Sequence, residues 1–255
     1  MEINKIIENI RIFIDHQAEK GKNITVYEKE LNPEEFFKKI GINVGLDDYK
    51  EIILQDETKF ELGGVNKKSF SLIYPLHILD FIKDGKITLI GPEIKNITEK
   101  SIDFGIFILI GFEKISEKDF DNLRQFNFIS NGIEGFMIRT IPRRFWCRIN
   151  TEVMKKKFSF EFLGNAILFL YKQKFKDSIK SMEIIFISSN PDSIENFIEI
   201  TTEIREHLSK KWKDKIEEWK KRIDCDYDWE CDECPYYDIC EDVKEVLEER
   251  EEIEK

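Results

Sequence analysis

Nine consecutive residues, Phe104 to Phe112 (FGIFILIGF), carry no polar side chain at all. An apolar run of this length without alternation has both faces hidden from water, which predicts a buried central strand. The remaining strand signals are shorter. Lys86 to Ile90 (KITLI) ends at Gly91-Pro92, and Met182 to Ser188 (MEIIFIS) is another. Glu134 to Arg139 and Phe145 to Ile149 read as two strands joined by the turn Ile141-Pro142-Arg143-Arg144.

Helical spacing surrounds these strands. Ile3, Ile6, Ile7, Ile10 and Ile14 form an apolar stripe over residues 2–20, with Gly21 as the stop. Asn32-Pro33-Glu34-Glu35 is a helix start, and Ser116 is an N-cap for a helix to Phe126. A further helix is expected over 160–177, and Pro191 opens a long one reaching about Lys221. Helices and strands interleave irregularly, and several strand pairs leave no room for a crossover helix. The fold class expected is therefore α+β, a mixed sheet with flanking helices plus a small Cys-rich metal-binding C-terminal tail. The division expected is 1–57, an N-terminal helical and irregular region; 58–221, the α+β domain; and 222–255, the Cys tail with an acidic terminal helix.

Charge separates the tail from the body. Residues 221–255 hold 15 acidic and 5 basic side chains, whereas the other 220 hold 36 and 35. A near-neutral body with an acidic end lacks the clustered Lys and Arg that phosphate backbones require, so no nucleic-acid partner is expected. The first 20 residues lack the apolar core and small-residue cleavage site of a signal peptide. No apolar run reaches the roughly 18 residues of a membrane span, so no membrane partner is expected. A cytoplasmic location follows, where clustered thiols stay reduced and act as metal ligands rather than disulfides.

Four of the five cysteines lie within the 16 residues Cys225-x5-Cys231-x2-Cys234-x5-Cys240. The Cys-x2-Cys pair aims two sulfurs at one centre from a single turn, and the flanking spacings bring round a third and a fourth. Thiolates select zinc or iron–sulfur. Structural zinc usually joins two Cys-x2–4-Cys knuckles across a longer gap. One knuckle with compact flanks favours a [4Fe–4S] cluster, with zinc as the alternative. Asp226, Asp228, Glu230, Asp232 and Glu233 surround the ligands with negative charge.

A second cluster is cationic. Arg139, Arg143, Arg144 and Arg148 fall within ten residues of a chain otherwise rich in Lys. Their planar forks suit a pyrophosphate or carboxylate, or else a surface ion-pair network. Strand alternation puts Trp146 and Arg148 on one face and Cys147 on the other, towards the core.

The pieces Ile133-Glu134-Gly135-Phe136-Met137 and Phe145-Trp146-Cys147-Arg148-Ile149 resemble the β subunit of the archaeal acetyl-CoA decarbonylase/synthase complex. This is the acetyl-CoA synthase subunit paired with carbon monoxide dehydrogenase. Glu61-Leu62-Gly63-Gly64, Asp84 to Glu93, Phe160 to Tyr171, and Met182 to Ser188 with Asn190-Pro191-Asp192 fall in the same order, over about 58–218. The resemblance implies the family's middle domain and anaerobic one-carbon metabolism. It also implies a coenzyme A contact at Trp146 and Arg148, near Arg143 and Arg144. The family's nickel-bearing A-cluster uses a Cys-Gly-Cys, and this sequence contains none. The expected role is accordingly an iron–sulfur accessory, electron-transfer or assembly protein partnered by a CO dehydrogenase/acetyl-CoA synthase-type complex or a redox protein. One alternative is a redox enzyme holding a coenzyme A or nucleotide-type ligand at the arginine turn, and another is a zinc-stabilised interaction scaffold.

Overall fold

The computed structural model describes residues 3–200, apart from 47–51, 65, 78–79, 114–118, 120–121, 124–126, 142–143 and 189–191, together with residue 202. By contacts the chain divides into two compact units, Met1–Thr201 and Thr202–Lys255.

The first unit begins with helix α1 (Ile3–Glu19), strand β1 (Ile24–Glu28) and helix α2 (Pro33–Ile40). Strands β2 (Thr58–Gly63), β3 (Ser69–Leu76), β4 (Lys86–Ile90), β5 (Ser101–Ile102) and β6 (Phe104–Phe112) follow. Next come α3 (Asn127–Gly132), β7 (Phe136–Ile141), β8 (Arg144–Asn150), α4 (Thr151–Lys155), α5 (Phe160–Phe175) and β9 (Ile179–Ser188). Residues 192–200 are helical, in agreement with the start expected at Pro191. Of the helix expected from Ser116 to Phe126, residues 119, 122 and 123 are described and are helical.

The architecture is α+β with mixed sheets, but there are two sheets rather than one. The larger has the order β1-β4-β9-β6-β3 and the smaller β5-β2-β8-β7. The division is made at Gly63-Gly64, whose φ angles are +77° and +134°. A Cβ on Gly63 would come within 2.6 Å of the Phe145 carbonyl oxygen and 2.9 Å of Ser69 Cβ. Only glycine allows this turn, which carries the chain from β2 in one sheet to β3 in the other. The Phe145 N–H donates to Ser69 Oγ (3.2 Å) and ties the two sheets at that point.

Strand β6 is interior rather than central, parallel to the edge strand β3 and antiparallel to the middle strand β9, with every residue buried. Its even-numbered residues join the main core, where Phe104 stacks with Phe145, Phe160 and Phe186 at centroid distances of 5.8–6.0 Å. On the opposite face Phe107 meets Phe197, which also packs on Phe13 of α1 and Phe70 of β3. An apolar run without alternation is the sequence consequence of this two-sided cover.

Helix α5 fills the main core. Ser159 Oγ accepts from the Phe162 N–H and caps its N-terminus. Gly164 faces Ile87 of β4 so closely that an added Cβ would lie 2.8 Å from Ile87 Cδ1. Helix α1 covers the other face and is pinned there by Arg11, whose guanidinium holds both oxygens of the fully buried Glu183 at 2.5 Å. No described helix is long and apolar enough to cross a membrane.

Candidate functional site

Antiparallel register builds the site on the face of the smaller sheet that points away from the core. In one cross-strand row Glu61 of β2 lies opposite Arg148 of β8, which lies opposite Met137 of β7. In the next row Gly63 lies opposite Trp146, which lies opposite Arg139. Phe145, Cys147 and Ile149 alternate onto the reverse face and join the core, as strand alternation requires.

Arg148 is committed within this face. Its Nε donates to Glu61 Oε1 (3.0 Å) and a terminal nitrogen donates to the carbonyl of Ile53 (3.0 Å). Its Cζ stands 5.3 Å from the centre of the Trp146 ring, within cation–π range. The side chains of Arg148 and Glu61 are 15% and 21% exposed, so the bridge is partly shielded from water and salt. The Ile53 carbonyl belongs to a short segment whose neighbours Ile52 and Leu54 are exposed aliphatics, 68% and 56% accessible. Arg148 therefore ties an apolar ledge to the sheet.

Trp146 is half-buried, and its Nε1 is covered with no acceptor among the described residues. A covered donor without a partner costs about 1–3 kcal/mol. Arg139, across the row, is exposed and makes no ion pair among the described residues. Among the described residues Arg139 is thus the arginine of these rows without an ion pair, while Arg148 is held against the indole. Arg143 lies outside the described residues, and Arg144 is described only as the first residue of β8. Glu61 and the Ile53 carbonyl are the members that residue patterns did not reveal, because only the β2–β8 register brings them to Arg148.

The other candidates divide simply. Cys147 is fully buried between Leu62 and Ile138 in register, and burial pushes its thiol well up, which disfavours the reactive thiolate. His16 sits at the end of α1, and the His77 ring packs 4.2 Å from that of Phe112. Cys225, Cys231, Cys234 and Cys240 lie outside the described residues. Among the described residues no three metal-ligating side chains come together.

Comparison with known proteins places this face within a recognised unit. Residues 40–193 match the sequence model of the CO dehydrogenase/acetyl-CoA synthase complex beta subunit. The stretch starts and ends earlier than the 58–218 read from the motifs. The acetyl-CoA decarbonylase/synthase complex subunit beta of Methanopyrus kandleri is 30% identical over 172 residues, 66% of this chain and 36% of that protein. Subunit beta 1 of Methanosarcina mazei is 29% identical over 157 residues, 60% of this chain and 33% of its own. Subunit beta of Methanothermobacter thermautotrophicus is 25% identical over 146 residues, 56% and 30% of the two chains. The chain thus spans about a third of the length of the curated relatives it matches.

Proposed function

The chain belongs to the CO dehydrogenase/acetyl-CoA synthase complex beta subunit family, and we propose that it works bound to partners in a complex of that type. There it would hold an iron–sulfur cluster and serve electron transfer, cofactor delivery or assembly in anaerobic one-carbon metabolism. The observation that carries this reading is the matched segment 40–193, which takes in the Glu61–Arg148–Trp146 face and most of both sheets. The relatives are named as subunits of a complex, which supports a protein partner for this chain.

Cys225, Cys231, Cys234 and Cys240 would supply the four thiolates of a [4Fe–4S] cluster, and the compact spacing supports iron–sulfur over zinc. A bound cluster supplies one-electron transfer, and the acidic residues between its ligands would lower its potential. A coenzyme A, or another nucleotide-bearing ligand, is proposed at the sheet face. Trp146 offers a flat apolar ring. Arg139, with Arg143 and Arg144 of the turn, offers charge to phosphates. The exposure of Arg139, which makes no ion pair among the described residues, favours this second element of the reading.

The test is anaerobic purification of the full chain with metal and sulfide analysis. A brown protein with about four irons and four sulfides per chain supports the cluster. A colourless protein with a single zinc overturns it in favour of the scaffold. Calorimetry with coenzyme A up to millimolar ligand tests the sheet face, and the absence of heat removes that element.

A further inference from the structure

We propose that Glu61 is a positioning residue that holds Trp146 in its binding-ready orientation through Arg148. The inference rests on the coenzyme A reading of the sheet face for its functional meaning, and on geometry alone for its physical content.

The chain of contacts is short and continuous. Glu61 Oε1 receives Arg148 Nε, and the same guanidinium reaches the Ile53 carbonyl and lies over the indole of Trp146. Arg148 is long and rotamer-rich, and without a partner on β2 it would sample many orientations above the sheet. The row opposite Trp146 on β2 is Gly63, which has no side chain to support the indole from that side. With no support from Gly63, the guanidinium over the ring helps to set its orientation, and Glu61 together with the Ile53 carbonyl sets the guanidinium.

The turn leaves the carboxylate room, since an added Cβ on Gly64 would meet Glu61 Oε2 at 3.4 Å, an ordinary van der Waals contact. The segment Glu61-Leu62-Gly63-Gly64 thus combines three tasks in four residues. Glu61 fixes Arg148, Leu62 enters the core, and the two glycines turn the chain into the other sheet.

The clamp also neutralises Arg148. Its charge faces a carboxylate and a carbonyl, so it is not the group that meets phosphate. The exposed Arg139 offers that charge on the described part of the face. The Ile52–Leu54 ledge stays tied by the buried Ile53 and by the bonds of Leu54 to Glu57 and Thr58, but loss of Glu61 would loosen the guanidinium and the indole beside it. A ligand would then have to order these groups on binding, which weakens affinity about three- to tenfold for one or two long side chains.

The experiment uses the full chain labelled with 5-fluorotryptophan, with the Trp146 resonance assigned by its loss in Trp146→Phe. In Glu61→Ala the Trp146 signal is expected to shift and broaden, and coenzyme A affinity to fall about three- to tenfold. Glu61→Gln keeps an acceptor for Arg148 and is expected to restore most of both. Arg148→Lys, which keeps charge but loses the fork, is expected to behave like Glu61→Ala and serves if that variant unfolds. A Trp146 signal unchanged in Glu61→Ala and Arg148→Lys overturns the positioning role, as does an affinity loss without any change in that signal. If wild type binds no coenzyme A while the signal still responds to Glu61, the clamp stands and the coenzyme A reading falls.

Discussion

Replacing Arg11 with alanine removes the only side-chain hydrogen-bond partner that the described residues show for Glu183. The carboxylate is 0% exposed, and without Arg11 its remaining donor is the Lys83 N–H at 3.1 Å. The Arg11 bond to the Phe81 carbonyl (3.2 Å) disappears as well. Breaking a buried ion pair from one side costs about 3–5 kcal/mol when the surviving charge is left uncompensated, and the nearby Lys86, which interacts electrostatically with Glu183, offsets part of that cost. Arg11 is itself 23% exposed, so water can enter where it stood, and the lower end of that range applies. For a unit of this size about 3 kcal/mol lowers Tm by roughly 6–12 °C. Thermal unfolding followed by circular dichroism reads the shift. A compensated double variant, Arg11→Met with Glu183→Leu, is expected to recover most of the loss, since apolar pairs of similar volume often replace buried ion pairs without penalty. If Arg11→Ala costs less than about 1 kcal/mol, the pair behaves as an ordinary surface bridge and does not pin α1 to the sheet.

Three further outcomes are expected. Cys231→Ser or Cys234→Ser should abolish bound metal while the cooperative unfolding of the body persists, because the body has its own apolar core; loss of both together would contradict the independence of the tail. Burial, and then the neighbouring carboxylates of Glu30 and Glu93, hold Glu161 above the ordinary carboxylate range, so its contribution to stability is present at low pH and is lost as pH rises through the raised value. Glu161→Gln should therefore raise Tm at neutral pH and flatten that decline, and an unchanged pH profile would refute the assignment. Gly164→Ala should destabilise by about 1–3 kcal/mol in urea unfolding, since the new methyl group meets Ile87 at 2.8 Å; a neutral result would mean that α5 and β4 can separate cheaply.

Local chemistry alone was enough for much of the secondary structure. The strand KITLI occurs at Lys86–Ile90 as read, and Pro33 begins α2 where Asn32-Pro33-Glu34-Glu35 indicated. Asn32 is not a side-chain cap, however; its amide donates instead to Glu35. Where local signals met tertiary demand, boundaries moved. β9 begins at Ile179 rather than Met182 because Ile179 and Ser181 still pair with Phe112 and Gly111 of β6. β7 begins at Phe136 rather than Glu134, since Gly135 takes φ +67° and turns the chain before the strand.

Residue order was enough to require that FGIFILIGF be covered on both faces, that Trp146 and Arg148 share a face, and that Cys147 turn inward. These follow from residue chemistry and the two-residue period of a strand, which act within a few positions of the chain. Tertiary structure alone decided the split into two sheets at Gly63-Gly64, the pairing of Arg11 with Glu183 172 positions away, and the meeting of Glu61, Ile53 and Arg148. Four arginines in a row of ten look equivalent as sequence, yet Arg148 is bound to Glu61 while Arg139 stands in solvent. The physical reason is register: which carboxylate a guanidinium meets depends on how distant strands slide against each other to fill one core, and no short segment carries that information.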